Sequence, residues 1–232
     1  LASLQQRAQK GEAEAMYLLG FKYLDGEGVA QDLAQTEALW LKAAEQEFEL
    51  AAYSLGSFYL HGYGGAPDYI KAVQWYEKAY DLGSVDAGYD LGVIYQNGMG
   101  VTPTATLAQI WYKNAAERGN ASAKCILGAI YYNGDGVKID YDKAYTYLKD
   151  VEAYEHAESQ YYLGNLYRIG LNAPKDESRA LACYESAAMQ NYGPAQYELG
   201  HMYYLAQGVA TKDVVKAYAW YAHAADNGVE KA

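Results

Sequence analysis

The stretch Ala87-Gly88-Tyr89-Asp90-Leu91-Gly92-Val93-Ile94-Tyr95-Gln96-Asn97-Gly98-Met99-Gly100-Val101, followed shortly by Ala108-Gln109-Ile110-Trp111-Tyr112-Lys113-Asn114-Ala115-Ala116, decides the fold. In its first half Ala87, Leu91 and Tyr95 are spaced by four, which stacks them on one face of a helix. Its middle, Asn97-Gly98-Met99-Gly100, stops that helix at a glycine able to take the left-handed conformation. Thr104 then offers a helix start, with Pro103 as punctuation. The last part places Ala108, Trp111, Tyr112, Ala115 and Ala116 at helical spacing, small residues alternating with aromatics. The stretch therefore reads as a helix–turn–helix.

The same pattern recurs along the chain. Leu-Gly falls at 19–20, 55–56, 91–92, 127–128, 163–164 and 199–200, a constant step of 36 residues. With each Leu as position 0, position −4 holds Ala15, Ala51, Ala87, Ala123, Ser159 and Ala195. Position +4 holds Tyr23, Tyr59, Tyr95, Tyr131, Tyr167 and Tyr203. This defines a first helix, A, running roughly from Glu12 to Leu24 in the first copy. The Gly at +1 lies about 100° around the wheel, at the edge of the apolar face. Glycine costs on the order of 1 kcal/mol there against alanine, so its recurrence predicts a neighbour too close for a Cβ, expected to be another backbone. The second helix, B, starts at Asp32, Asp68, Thr104, Asp140, Asp176 and Asp213. A Gly or polar residue closes the unit, as at Gly83, Gly119 and Gly228.

Composition fits such an array. Of 232 residues 51% are hydrophobic, and 27 are Tyr, whose apolar ring and wet hydroxyl suit a thin fold with little deep core. The net charge of −11 opposes binding to nucleic acid or to anionic membranes, both of which need an excess of Lys and Arg. It favours a partner with some basic character. No run of about 18 apolar residues offers a membrane span. Cys125 and Cys183 sit at different positions of the repeat, so they are not expected to pair.

Written as one line, Ala-x-x-x-Leu-Gly-x-x-Tyr-x-x-Gly-x-Gly-Val-x-x-Asp-x-x-Lys-Ala-x-x-Trp-Tyr-x-x-Ala-Ala, the repeat resembles the Sel1-like repeat, a relative of the tetratricopeptide repeat. A tetratricopeptide unit has about 34 residues; the longer step and the Gly-x-Gly turn point to the Sel1-like branch. The resemblance implies an all-α fold, a right-handed α/α superhelix or solenoid of six helix–turn–helix repeats. It also implies an adaptor between proteins, and a bacterial, periplasmic or secreted setting. We expect residues 1–232 to form a single array, with repeats at about 11–46, 47–82, 83–118, 119–154, 155–190 and 191–227. Partial helices flank it at 1–10 and 228–232. Both ends match parts of the repeat, so the array is expected to continue in a longer parent protein.

Three departures predict less regular packing among the last three copies. Val151-Glu152 replaces Ala-Ala, with Glu155 in place of Gly; the fifth turn reads Gly170-Leu171-Asn172-Ala173-Pro174; and the sixth copy has Ala206 for Gly and one extra residue before Ala217.

Copies share their packing residues, so function is expected where they differ, on the side of helix A turned from the core, at positions −5, −2, +2 and +5. By resemblance to tetratricopeptide arrays this side lines a concave groove. The −2 row reads Tyr17, Tyr53, Tyr89, Cys125, Tyr161 and Tyr197, a tyrosine ladder with one gap. The +2 row varies through Phe21, Ser57, Val93, Ala129, Asn165 and His201, and the +5 row includes Gln96, Tyr132, Arg168 and Tyr204. The expected partner-binding residues are Tyr17, Phe21, Tyr53, Ser57, Tyr89, Val93, Gln96, Tyr132, Tyr161, Asn165, Arg168, Tyr197, His201 and Tyr204. The competing reading is that the ladder only packs helices together.

No catalytic, cofactor or metal residues are expected. No Ser has a Lys three residues later, as a serine β-lactamase requires, and the Cys pair per repeat found in Cys-rich Sel1-like proteins linked to β-lactam chemistry is absent. His61, His156, His201 and His223 lack metal-ligand spacing. The Asp25-Gly26-Glu27-Gly28 turn lacks the alternating oxygens of a calcium loop. The function expected is non-enzymatic binding of a peptide or protein. A cell-wall or β-lactam hydrolase and a purely structural spacer are the alternatives.

Overall fold

The structure is a computed structural model that describes residues 1–154, 156–171 and 175–230. Glu155, the 172–174 part of the fifth turn and positions 231–232 of the expected C-terminal flanking helix lie outside the described residues. Among the described residues there are thirteen α-helices and no strand. Packing divides the chain into two compact units, residues 1–120 and 121–232.

The first unit begins with α1 (Ala2–Gln9), the expected tail of a B helix. Three A/B hairpins follow: α2 (Ala13–Asp25) with α3 (Leu33–Glu45), α4 (Glu49–His61) with α5 (Tyr69–Asp81), and α6 (Val85–Asn97) with α7 (Ala105–Glu117). The second unit holds α8 (Ala121–Asn133) with α9 (Tyr141–Asp150), α10 (Ala157–Ile169) with α11 (Glu177–Met189), and α12 (Gly193–Leu205) with α13 (Val214–Asp226). Each unit is thus a stretch of all-α repeat superhelix in which hairpins pack on their sequence neighbours. The expected irregularity in the fourth copy is local: α9 has ten residues where the other B helices have thirteen, and Val151 is buried just beyond its end.

Every hairpin closes the same way. The residue seven after the Leu ends helix A in the left-handed conformation: Gly26, Gly62, Gly98 and Gly170 at φ between 66° and 74°, Gly134 at 80°. In the sixth copy Ala206 holds that conformation at φ 58°, carrying the Cβ penalty that glycine avoids. The first residue of the B turn then donates its backbone N–H to the carbonyl of the +4 Tyr. Asp32 reaches Tyr23, Asp68 Tyr59, Thr104 Tyr95, Asp140 Tyr131, Asp176 Tyr167 and Asp213 Tyr203, all at 2.9–3.0 Å. Five of these residues also cap helix B through the side chain, as expected for Asp32, Asp68, Asp140, Asp176 and Asp213. Thr104 does not; its hydroxyl donates to the Thr102 carbonyl instead, at 2.9 Å.

The +1 glycines have a cause different from the one expected. An added Cβ would meet side chains of helix B rather than another backbone. Gly20 faces the Trp40 indole, Gly56 Tyr76, Gly92 Tyr112, Gly128 Leu148, Gly164 Tyr184 and Gly200 Tyr221, each at 3.0 Å or less. These partners sit 21 residues after the Leu, or 22 in the sixth copy, where the extra residue has been absorbed. Ring and glycine interlock, and the −4 residues and the Leu complete a dry seam in which Ala51, Leu55, Ala87, Leu91, Ala123 and Leu127 are fully buried.

Gly92→Ala should therefore cost about 1–3 kcal/mol in urea unfolding, because the Tyr112 ring must move to admit the methyl group. Ala206→Gly should act oppositely and stabilise by about 1 kcal/mol, since the backbone there is already left-handed.

Candidate binding wall on the A helices

The side of helix A carrying the −2, +2 and +5 rows is built from contacts with the same interlocked rings. In the first unit the Tyr17 ring lies 6.3 Å from Trp40, Tyr53 lies 5.4 Å from Tyr76, and Tyr89 lies 6.0 Å from Tyr112. In the second unit Tyr161 is 6.1 Å from Tyr184 and Tyr197 is 5.4 Å from Tyr221. The gap in the ladder, Cys125, falls in the one repeat whose helix B contributes Leu148 instead of a ring. The −2 tyrosines are half-buried: one edge rests on helix B, Tyr17 also packs on Phe21 and Phe48 and Tyr161 on Tyr162 and Tyr192, and part of each side chain is open.

The +2 and +5 rows answer the tip of the helix B residue. Where that residue is Tyr, its hydroxyl meets a polar side chain. Tyr112 donates to Gln96 Oε1, and Tyr184 donates to Asn165 Oδ1 at 2.7 Å while accepting from Arg168 Nε at 3.2 Å. The Tyr221 hydroxyl lies 3.4 Å from His201 Nδ1, and the polar Ser57 holds the +2 position in the repeat of Tyr76. Where helix B offers no hydroxyl the facing residue is apolar: Phe21 packs 4.9 Å from Trp40, and Ala129 shares the repeat of Leu148. Much of the variation in these rows is thus internal complementarity. Asn165 in particular is buried and committed to Tyr184.

The remaining expected residues differ in how open they are. Ser57, Val93, Tyr132, Arg168 and His201 are half-buried, whereas Gln96 and Tyr204 are exposed. Tyr132 packs 4.6 Å from Tyr162, and Tyr204 has the Lys212 ammonium 3.7 Å over its ring. Arg168 also lies 3.8 Å from Glu198.

The sequence reading overlooked Asp90, at −1 of the third repeat. This half-buried carboxylate accepts a hydrogen bond from the Tyr53 hydroxyl at 2.8 Å. Burial is the main reason its pKa rises to about 6; Asp86 pushes the same way, while Tyr53 and His61 oppose. Tyr53 in turn is held protonated far above the usual phenol range, by burial and then by Asp90. The signal was present in the −1 row, where Leu18, Ser54, Ile126 and Tyr162 leave Asp90 and Glu198 as the only charged members. Cys125 and Cys183 are free and buried, and burial pushes the Cys183 thiol up to about 12. His156 caps α10, accepting from the Ser159 N–H at 3.3 Å. Among the described residues no group of His, Cys, Asp and Glu is placed to hold a metal ion, and no helix is long and apolar enough to cross a membrane.

The Sel1 repeat model matches residues 13–48, 50–84, 85–120, 121–149, 157–192 and 193–229, and the chain belongs to the Sel1 repeat family. A protective antigen of uropathogenic Escherichia coli strains, displaying the Sel1-like repeat fold, is 33% identical, with a TM-score of 0.86. That match covers 98% of this chain and 49% of the antigen, so the chain spans about half of that protein's length. A Sel1 repeat protein from Oxalobacter formigenes is 31% identical with a TM-score of 0.70, over 92% of this chain and 85% of that one. No curated protein matches the sequence. The Sel1 repeat is generally a scaffold for protein–protein interaction, and proteins built from it are typically not enzymes.

The folded chain holds the Asp90 proton more tightly than the unfolded chain does. Its contribution is therefore favourable below the ordinary aspartate pKa and is lost as pH rises through about 6. Asp90→Asn should abolish that loss. Relative to the wild type the variant should gain stability on the order of 1–2 kcal/mol between pH 4 and pH 7, after allowance for the carboxyl's open side. Urea titrations of both proteins at the two pH values read this difference.

Proposed function

We propose that this chain is a non-enzymatic scaffold whose A-helix rows form the concave face of the repeat and bind a peptide or protein segment there. The observation that supports this most directly is the state of the −2 tyrosines. Tyr17, Tyr53, Tyr89, Tyr161 and Tyr197 are each pinned along one edge by helix B and remain partly open. A ring immobilised before binding offers contact area at little further entropy cost. Tyrosine is also enriched among interface anchors. Gln96 and Tyr204 add exposed groups at the +5 row beside the ladder.

The family's general role as a protein-interaction scaffold supports the same reading. A partner on the wall of the first unit would touch Val93 and Gln96, and one on the wall of the second would touch Tyr204, without disturbing the seam beneath. Site-specific photo-cross-linking in the native host tests this. A benzophenone amino acid at Val93, Gln96 or Tyr204 should capture a discrete protein, while the same group at the exposed helix B residues Ile110 and Met189 should not. Capture from helix B alone, or none from the wall, would move the binding surface elsewhere.

A further inference from the structure

We propose that Asp90 is the seat for one basic side chain, an arginine or lysine, of the peptide or protein that occupies the wall of the first unit. The proposal rests on the reading of that wall as a binding surface. Its warrant is a comparison the repeat makes with itself. In the second unit a carboxylate at the −1 row, Glu198 of the sixth repeat, is met by a guanidinium at the +5 row of the repeat before it, Arg168, at 3.8 Å. Asp90 occupies the −1 row of the third repeat, and the position equivalent to Arg168 is Leu60. One carboxylate has a cation supplied by its own chain; for the other, the equivalent position holds the aliphatic Leu60.

The surroundings of Asp90 bear out the shortfall. Among the described residues no Lys, Arg or His forms an ion pair with it. The Tyr53 hydroxyl donates a single hydrogen bond, which leaves most of the carboxylate's roughly four acceptor sites unused. Asp86, one turn earlier on α6, adds a second negative charge, and Asn120 Nδ2 donates to it at 2.8 Å. On α4 His61 is the nearby titratable group besides Tyr53; α5 and α7 contribute the neutral phenols Tyr76 and Tyr112.

An apolar segment laid over this spot would bury the unused acceptors unpaired, at a cost comparable to losing a charged hydrogen bond. A guanidinium or ammonium satisfies them and finds the half-buried Tyr53 ring, which donates to the same carboxylate, to pack against. The chain's net charge of −11 draws a basic segment toward the wall from a distance.

The test pans random phage-displayed peptides against the whole chain and measures the recovered peptides by titration. Recovered binders should share an Arg or Lys. Replacing that residue with neutral citrulline or acetyl-lysine, or making Asp90→Asn, should weaken binding by at least about ten-fold, and the two losses should not add. Leu60→Arg installs the missing cation within the chain and should weaken the same peptides to a similar degree. The peptide-side replacement reads the contact on unaltered protein, so a variant that misfolds does not decide the result. Peptides that weaken when Val93→Arg blocks the wall, yet ignore Asp90 and carry no essential basic residue, would overturn the Asp90 seat while leaving the wall as a binding surface. Recovery of no peptide sensitive to Val93→Arg would overturn both.

Discussion

The contact between the +1 glycine of helix A and the side chain 21 residues beyond the Leu is the constraint on which the rest of the structure depends. An aromatic ring fits against helix A at this depth only if the facing residue lacks a Cβ. Glycine in a helix interior weakens it by about 1 kcal/mol. Burying a ring such as Tyr76 or Tyr112 returns more than that, since removing a buried aromatic side chain from a core costs roughly 3–5 kcal/mol. The exchange is favourable in each repeat and fixes the separation and register of each hairpin. The hydrogen bond from the start of helix B to the +4 Tyr carbonyl then locks the turn. Hairpins fixed in this way can stack only through what lies outside the seam.

That constraint also organises the wall. The ring that fills the glycine notch presents one edge to the −2 row and its tip to the +2 and +5 rows. A tyrosine stands at −2 where there is a ring to rest on, and Cys125 stands where Leu148 gives none. Polar residues occupy +2 or +5 where a hydroxyl arrives, and Phe21 where Trp40 arrives without one. The wall is the outer surface of the packing, and its tyrosines are ordered before any partner comes.

The sequence therefore disclosed the frame better than the surface. The 36-residue step, the spacing of small residue, Leu and Tyr, and the Gly turns located all six hairpins, because helical periodicity reports directly which residues share a face. It could not report what stands across from that face. A backbone was expected against the +1 glycines where side chains are found, since a glycine marks closeness without naming the neighbour. Variability at +2 pointed to a binding surface, yet Asn165 turns inward to Tyr184, a pairing visible only when residues 19 apart are seen together. Thr104 looked like its five Asp counterparts but spends its hydroxyl on Thr102. Asp90 went unnoticed because one Asp among acidic residues carries no periodic signature; its meaning comes from Tyr53, 37 residues away.

A repeat array carries its own controls, because equivalent positions share geometry while differing in chemistry. The −1 row holds one such pair. Glu198 with Arg168 is a carboxylate whose charge is balanced in place, and its pairing ties one hairpin to the next. Asp90 occupies the same position without such a partner, and burial makes its ionisation harder than that of an exposed aspartate. Packing alone gives no reason to keep a charge there: the other members of the row, Leu18, Ser54, Ile126 and Tyr162, meet the demands of the fold without one. A charge that lowers stability while adding nothing to the seam is what singles out Asp90 for the proposed role in recognition. The two units thus present tyrosine walls of the same construction and opposite electrostatic status, one internally balanced and one left acidic.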